Sequence, residues 1–291
     1  MMDFPTATTS VAPPGRRGRH GKPVLLAFSL PLALCAALST RAAGAQEPEE
    51  LPRSPAYQLR LDLDLSVVLI AGATTSSFFF SDELPGVACA PRCDRSRINA
   101  LDRPAAGLYN PQWSTIGNVA TAATMVLPLT VILVDQGLVN GLNDDLVVAE
   151  AALASSALQV VVSYAVARPR PRVYSDEAPL DSRSDANAGR SFFSGHVANT
   201  VATSVAALRT YQRLRRPVLG WTLLGVGLAG SSFVGVTRVV SGAHFPSDVI
   251  AGAAVGVGMG LALPALHDSP VRMMPYASRE SGGLLFSGSL R

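Results

Sequence analysis

Three short segments of this chain combine residue types that can do chemistry together. The first is Ala167-Arg168-Pro169-Arg170-Pro171-Arg172, directly after an apolar stretch. The second is Phe193-Ser194-Gly195-His196, directly before the next apolar stretch. The third is Thr237-Arg238-x5-His244-x3-Asp248, between two later stretches. Ionisable groups beside long apolar segments are costly and mark function by default. Arginines present forked, permanently charged donors that suit phosphate oxygens. Ser194-Gly195-His196 at a helix start offers free backbone N–H groups and a positive dipole end, and Gly195 lets an anion come close. One histidine can attack phosphorus while the other protonates the leaving oxygen. Asp248 follows His244 by four residues. On a helix or turn its carboxylate can hold the imidazole Nδ1–H and leave Nε2 free to attack. Pro246 and Ser247 suit a helix start at that point. Taken singly, each residue has a plainer reading: an arginine anchors at an interface, and a histidine caps a helix or bonds a carbonyl. The signal is the concurrence of all three clusters on one side. His20 and His267 receive no role.

The elements that must carry these residues are apolar. Of 291 residues, 48% are hydrophobic and 15% charged, well below the ~25% charged of soluble domains. Disorder and a charged coiled coil are both excluded. Apolar stretches cover 65–80, 116–134, 146–167, 197–208, 218–240 and 249–266. Most approach the ~20 residues of a membrane helix. The expected fold is an all-α polytopic membrane bundle of about five or six spans. Gly252, Gly256 and Gly260 repeat every four residues, so one helix face is open to close approach by another.

Charge sets compartment and orientation. The formal net charge of +3 hides an uneven distribution. Residues 1–45 hold Arg16, Arg17, Arg19, Lys22 and Arg41 against Asp3, and the remainder has 19 basic and 20 acidic residues. No basic surface for nucleic acid is left. Residues 1–45 read as a signal peptide: a positive segment, an apolar run over 24–38, and Ala43-Gly44-Ala45 before a cut. An uncleaved anchor is the alternative. Residues 46–115 hold a linker (46–60), the short first apolar segment and an extracytoplasmic loop carrying Cys89 and Cys93. That pair suits a disulfide in an oxidising compartment; half of a metal site is the competing reading, with no matching partner nearby. Arg209, Arg213, Arg215 and Arg216 join the fourth and fifth stretches. By the positive-inside rule this link is cytoplasmic, and the three clusters face outward at a plasma membrane of bacterial type. A cleaved signal conflicts with that count of spans unless 65–80 does not cross, and the short segment behind Arg60, Asp62 and Asp64 is expected not to. Residues 267–291 form a polar tail.

The clusters together resemble the type 2 phosphatidic acid phosphatase superfamily, which also includes bacterial acid phosphatases and vanadium haloperoxidases. Its pattern is Lys-x6-Arg-Pro, then Pro-Ser-Gly-His, then Ser-Arg-x5-His-x3-Asp. Arg170-Pro171, Ser194-Gly195-His196 and Arg238, His244 and Asp248 fit in order, within a domain at 116–266. The resemblance implies hydrolysis of a phosphate monoester or diphosphate through a phosphohistidine on His244. Asp248 would orient it and His196 would be the acid. Arg170, Ser194, Gly195 and Arg238 would hold phosphate. No cofactor is expected, and no metal, since no cluster has ligand spacing. The partners implied are the bilayer and a phosphorylated lipid such as a phosphatidate or polyprenyl diphosphate; the oligomeric state is left open. The sequence departs from the pattern at Ser163, where the family has Lys, and at Phe193 and Thr237. Loss of that cation motivates a second reading, a phosphate- or lipid-binding protein without turnover. Arg168, Arg172, Arg183 or Arg190 are candidates to compensate. A vanadate-dependent haloperoxidase is a third reading, weakened because those relatives are soluble.

Overall fold

A computed structural model describes residues 54–77, 87, 89–90, 93–268, 272–277 and 282–287. The expected export segment 1–45 and the first part of the linker lie outside the described residues. The helices are α1 (Leu61–Ser76), α2 (Pro111–Val166), α3 (Leu180–Ser184), α4 (Gly195–Arg213), α5 (Pro217–Val240) and α6 (Pro246–Leu266). Prolines open α2, α5 and α6, where the missing N–H costs nothing. The Asn110 side chain caps α2 by accepting from the N–H groups of Gln112 and Trp113.

The second and third apolar stretches share one element, α2, which bends back on itself. Gly137 sits at φ 76° and ψ 174°, a conformation that only glycine adopts without strain. Beyond the bend Gly141 packs on the other arm, where an added Cβ would lie 2.7 Å from the Leu133 Cα. A straight helix of 56 residues would hold its ends about 84 Å apart. Instead the segments flanking α2 touch: the Gly107 N–H donates to the Pro171 carbonyl at 2.9 Å. Both ends of α2 therefore lie at one end of the bundle, and the bend lies at the other.

Helix α4 packs on α2, α5 and α6. It is rich in hydroxyls yet largely buried. Thr200, Thr203, Ser204 and Thr210 each return their hydroxyl to a carbonyl one turn back, so burial leaves those groups satisfied. The glycine repeat of α6 faces α4. A Cβ at Gly252, Gly256 or Gly260 would lie 2.5, 2.5 or 2.7 Å from the carbonyl oxygens of Ser194, Ala198 and Ala202. Backbones in such contact associate by packing rather than by exclusion of water, as membrane helices must.

Among the described residues, three helices are long and apolar enough to cross a membrane: α2, α5 and α6. With α2 doubled back, the fold is a polytopic helical membrane bundle. At the bend end lie the Arg216–Asp135 ion pair and residues 54–60. The Ala56 and Tyr57 N–H groups donate to the Asp144 carboxylate at 2.8 and 3.2 Å. Arg213 donates to the Ala56 carbonyl at 3.3 Å, and Arg60 to the Leu266 carbonyl at 3.0 Å. The last part of the expected linker is thus bound to the bundle. By Arg95 the chain has reached the opposite end, where the Arg95 guanidinium donates to the Tyr174 carbonyl at 2.5 Å. The first apolar stretch, expected not to cross, is helical over Leu61–Ser76, 16 residues, and is not among the helices long and apolar enough to span. Its face of Leu63, Asp64, Ser66, Val67 and Ala71 is buried. Cys89 and Cys93 form a disulfide with Cα atoms 5.0 Å apart. In the expected polar tail, β1 (Arg272–Ala277) and β2 (Gly282–Ser287) pair antiparallel, with Arg272 opposite Ser287.

Candidate active site

At the end away from the bend, the sequence clusters converge. The start of α4, the start of α6, the end of α5 and the segment after α2 meet there. The Ser194 N–H donates to the Asp248 carbonyl at 3.0 Å, which fixes the α4 start against the first turn of α6. Ser194 is the N-cap of α4, and no side chain caps that helix. Its first N–H groups, from Gly195 to Val197, therefore have no intrahelical acceptor, an arrangement that can take an anion.

His244 is 3% exposed. Its Nδ1 lies 2.6 Å from the Ser191 carbonyl oxygen. A carbonyl only accepts, so Nδ1 carries the hydrogen and Nε2 keeps its lone pair. Burial, followed by the charges of Arg170, His196 and Arg238, holds His244 well below the usual histidine range. The same charges show that the structure brings these four residues together.

Asp248 does not hold His244 in the way the spacing suggests. Its Oδ2 is 4.0 Å from Nδ1, beyond hydrogen-bond reach. As the N3 residue of α6 it turns back to accept the Phe245 N–H at 2.8 Å, the N3 half of a capping box. The same oxygen accepts from the Ser191 hydroxyl at 2.5 Å, and the other takes an ion pair from Arg168. Asp248 thus acts on His244 through Ser191, whose side chain it holds and whose carbonyl holds the imidazole.

Arg238 is 3% exposed. It donates to the Asn118 Oδ1 at 3.0 Å and to the Ser114 carbonyl. Asn118 Oδ1 also lies 3.1 Å from His196 Nε2. Arginine only donates, so the Asn118 atom facing it is oxygen; His196 Nε2 also lies 3.4 Å from Arg238 Nη1, so it donates to Asn118 when protonated and accepts from Arg238 when not. Gly117 makes the approach possible: a Cβ there would lie 2.1 Å from Arg238 Nη2. Sequence reasoning missed Asn118 and Gly117. Their only signal was a lone amide and a glycine within an apolar stretch.

Arg170 donates from Nε to the Asn187 carbonyl at 2.8 Å and from Nη1 to the Ala243 carbonyl at 3.1 Å. Burial lowers its guanidinium to about 9, so it stays charged at neutral pH. Among the described residues, Ser194 Oγ and Arg238 Nε are buried and meet no hydrogen-bond acceptor. Both can donate to an oxyanion. Of the candidates to replace the family lysine, Arg168 is committed elsewhere. It binds Asp248 and Asp102, the latter at 2.7 Å, and lies over the Phe245 ring. Burial alone would raise Asp102, but bonds from Ser247, Arg168 and Asn99 outweigh it and hold its carboxyl low. Arg172 is held by the Ser182 carbonyl at 2.9 Å and by Asp185. Arg190 lies over the Tyr164 ring at 4.4 Å. Ser163 turns its hydroxyl to the Val160 carbonyl at 2.8 Å.

Residues 146–271 match the sequence profile of the PAP2 superfamily. That range includes every family-motif residue named above and begins after Asn118. Among solved structures, the chain is similar to a transmembrane PAP2-type phosphatidylglycerolphosphate phosphatase from Bacillus subtilis. Identity is 19%, with 71% of this chain and 96% of that chain covered and a TM-score of 0.39. A search of curated proteins returned no match.

Proposed function

We propose that this membrane protein is a phosphatase that hydrolyses a lipid phosphate monoester or diphosphate through a phosphohistidine on His244. One observation carries the reading: the Nδ1–H of His244 is tied to the Ser191 carbonyl at 2.6 Å. That bond leaves Nε2 as a neutral lone pair, and the site's charge keeps it neutral. In the first step Nε2 attacks phosphorus, the phosphorus–oxygen bond to the leaving group breaks, and His196 supplies the proton. In the second, water attacks the phosphohistidine, His196 takes a proton from it, and phosphate leaves. Arg170, Arg238, the Ser194 hydroxyl and the α4 N–H groups from Gly195 stabilise the charge that develops on the phosphoryl oxygens. Asp248 and Ser191 position the nucleophile. A site between apolar helices favours a lipid-linked substrate.

The site faces outward from a plasma membrane if the four-arginine link is cytoplasmic. Residues 54–60 share that link's end, as Arg213 and Ala56 are bonded. An impermeant thiol reagent should label Cys89 and Cys93 in reduced spheroplasts; protection would reverse the orientation.

The assay is phosphate release from several lipid phosphates by protein in detergent, with chelator present. Turnover that disappears in His244→Ala supports the phosphatase. A wild type that binds phosphate analogues and turns over none of the substrates overturns it in favour of the binding protein, the reading that Ser163 supports.

A further inference from the structure

At the bend end of the bundle, three residues far apart in sequence meet: Asp64 from α1, Glu150 from α2 and His267 just after α6. Their ligand atoms all lie within 4.8 Å of one another. All three side chains are buried, His267 and Glu150 at 1% exposure and Asp64 at 7%.

The hydrogen-bond pattern of His267 restricts what can fill this cluster. Its Nδ1 lies 3.0 Å from the Leu263 carbonyl, so Nδ1 carries a hydrogen. In the neutral ring Nε2 then presents a lone pair. That lone pair faces Asp64 Oδ1 at 2.9 Å and Glu150 Oε2 at 3.6 Å. Lone pairs of a nitrogen and two carboxylates converge on one point, which repels unless a cation sits between them. A proton is one such cation: an imidazolium can donate to Asp64. It leaves Glu150 unexplained, because both Glu150 oxygens are buried and have no hydrogen-bond partner. A buried carboxylate without a partner is strongly unfavourable. The arginines nearby point elsewhere, Arg60 to Leu266 and Asp62, Arg213 to Ala56 and Asp268.

We propose that Asp64, Glu150 and His267 bind a divalent transition-metal ion of the zinc or manganese class. One ion bonded at about 2.1 Å to each atom spaces its ligands about 3.0–3.6 Å apart at angles of 90–120°. The two separations to His267 Nε2 fall in or beside that range. One imidazole with two carboxylates is a ligand set for such ions. The Nδ1–H bond to a carbonyl is the outer contact that commonly fixes a metal-binding histidine. Asp64 Oδ2 is likewise held, accepting the Arg60 N–H at 2.7 Å. The ion joins α1, α2 and the end of α6 at the end of the bundle remote from His244, and takes no part in phosphate chemistry. The proposal stands independently of the phosphatase reading.

The test uses the full chain in detergent, stripped with chelator and then given zinc or manganese alone. One equivalent should be retained per chain, and the thermal midpoint should rise by several degrees. Cobalt added to the stripped wild type should give visible ligand-field absorption, a readout that needs no variant. Glu150→Gln and His267→Gln should each lower retention at least tenfold and abolish the thermal shift. A wild type that retains no ion and shows no cobalt spectrum overturns the proposal and leaves the proton bridge. Equal retention by both variants also overturns it, since the ion is then bound elsewhere. Phosphate release, where measured, should not change with the metal.

Discussion

The two ends of this bundle use the same residue types to opposite effect. At one end His244 lies among Arg170, Arg238 and His196, and the carboxylate of Asp248 is turned away from it onto Ser191 and Arg168. At the other, His267 faces Asp64 and Glu150 while the arginines turn to carbonyls and other acids. In both, a backbone carbonyl takes Nδ1–H and aims Nε2 into the cluster. What differs is the sign of the charge around Nε2. Surrounded by cations, the imidazole suits the proposed anionic substrate; surrounded by carboxylates, it suits the proposed metal ion. A histidine's function is therefore set by its neighbours' charge more than by its own geometry.

The largest expected effect breaks one end alone. His244→Ala should lower kcat for phosphate release at least about a thousandfold, while metal retention at the far end stays at the wild-type level. Next comes Gly117→Ala. Its methyl group would occupy the space of the Arg238 guanidinium, so kcat/KM should fall about a hundredfold, like the loss of a preorganised anion donor. Arg238→Ala should match it, and the double variant should add little. Asp248→Asn keeps an acceptor for Ser191 and Phe245 but loses the charge that holds Arg168. We expect a drop of about tenfold in kcat with KM nearly unchanged, measured on the same lipid phosphate.

The smallest effect is on stability and concerns pH. The unfolded chain protonates His244 below about pH 6.5, whereas the folded chain holds it neutral well below that. The unfolded state then binds more protons, so stability falls as pH drops through this window. Thermal midpoints measured between about pH 7 and pH 5 should decline less steeply in His244→Asn than in wild type. An equal slope would remove the depressed histidine from the comparison.

The convergence at the proposed phosphate site was legible in sequence because its residues are packed into short motifs at helix ends. Spacing singled out Arg170, Ser194, His196, Arg238 and His244, and the structure brings them to one end of the bundle. The role of Asp248 was misread for a local reason. A four-residue separation suggests contact, but at the start of α6 the carboxylate caps its own helix and reaches Ser191 instead. Asn118 and Gly117 carry no motif, and only the doubling back of α2 brings them to Arg238. The far end was not legible at all. Asp64, Glu150 and His267 come from three separate elements, and no spacing rule joins them. The helical class followed from apolar length, but the single bend at Gly137 did not, because an isolated glycine looks the same in a straight helix.

The glycine repeat of α6 has a consequence for how the protein tolerates its surroundings. Lipid chains can replace one greasy side chain with another, but they cannot enter a seam one Cα–H wide. The seam from Gly252 to Gly260 runs from the residues that carry the two histidines down the bundle. The separation of those imidazoles is thereby insulated from bilayer thickness and acyl composition, and the register of α4 on α6 behaves as a fixed ruler in a fluid solvent.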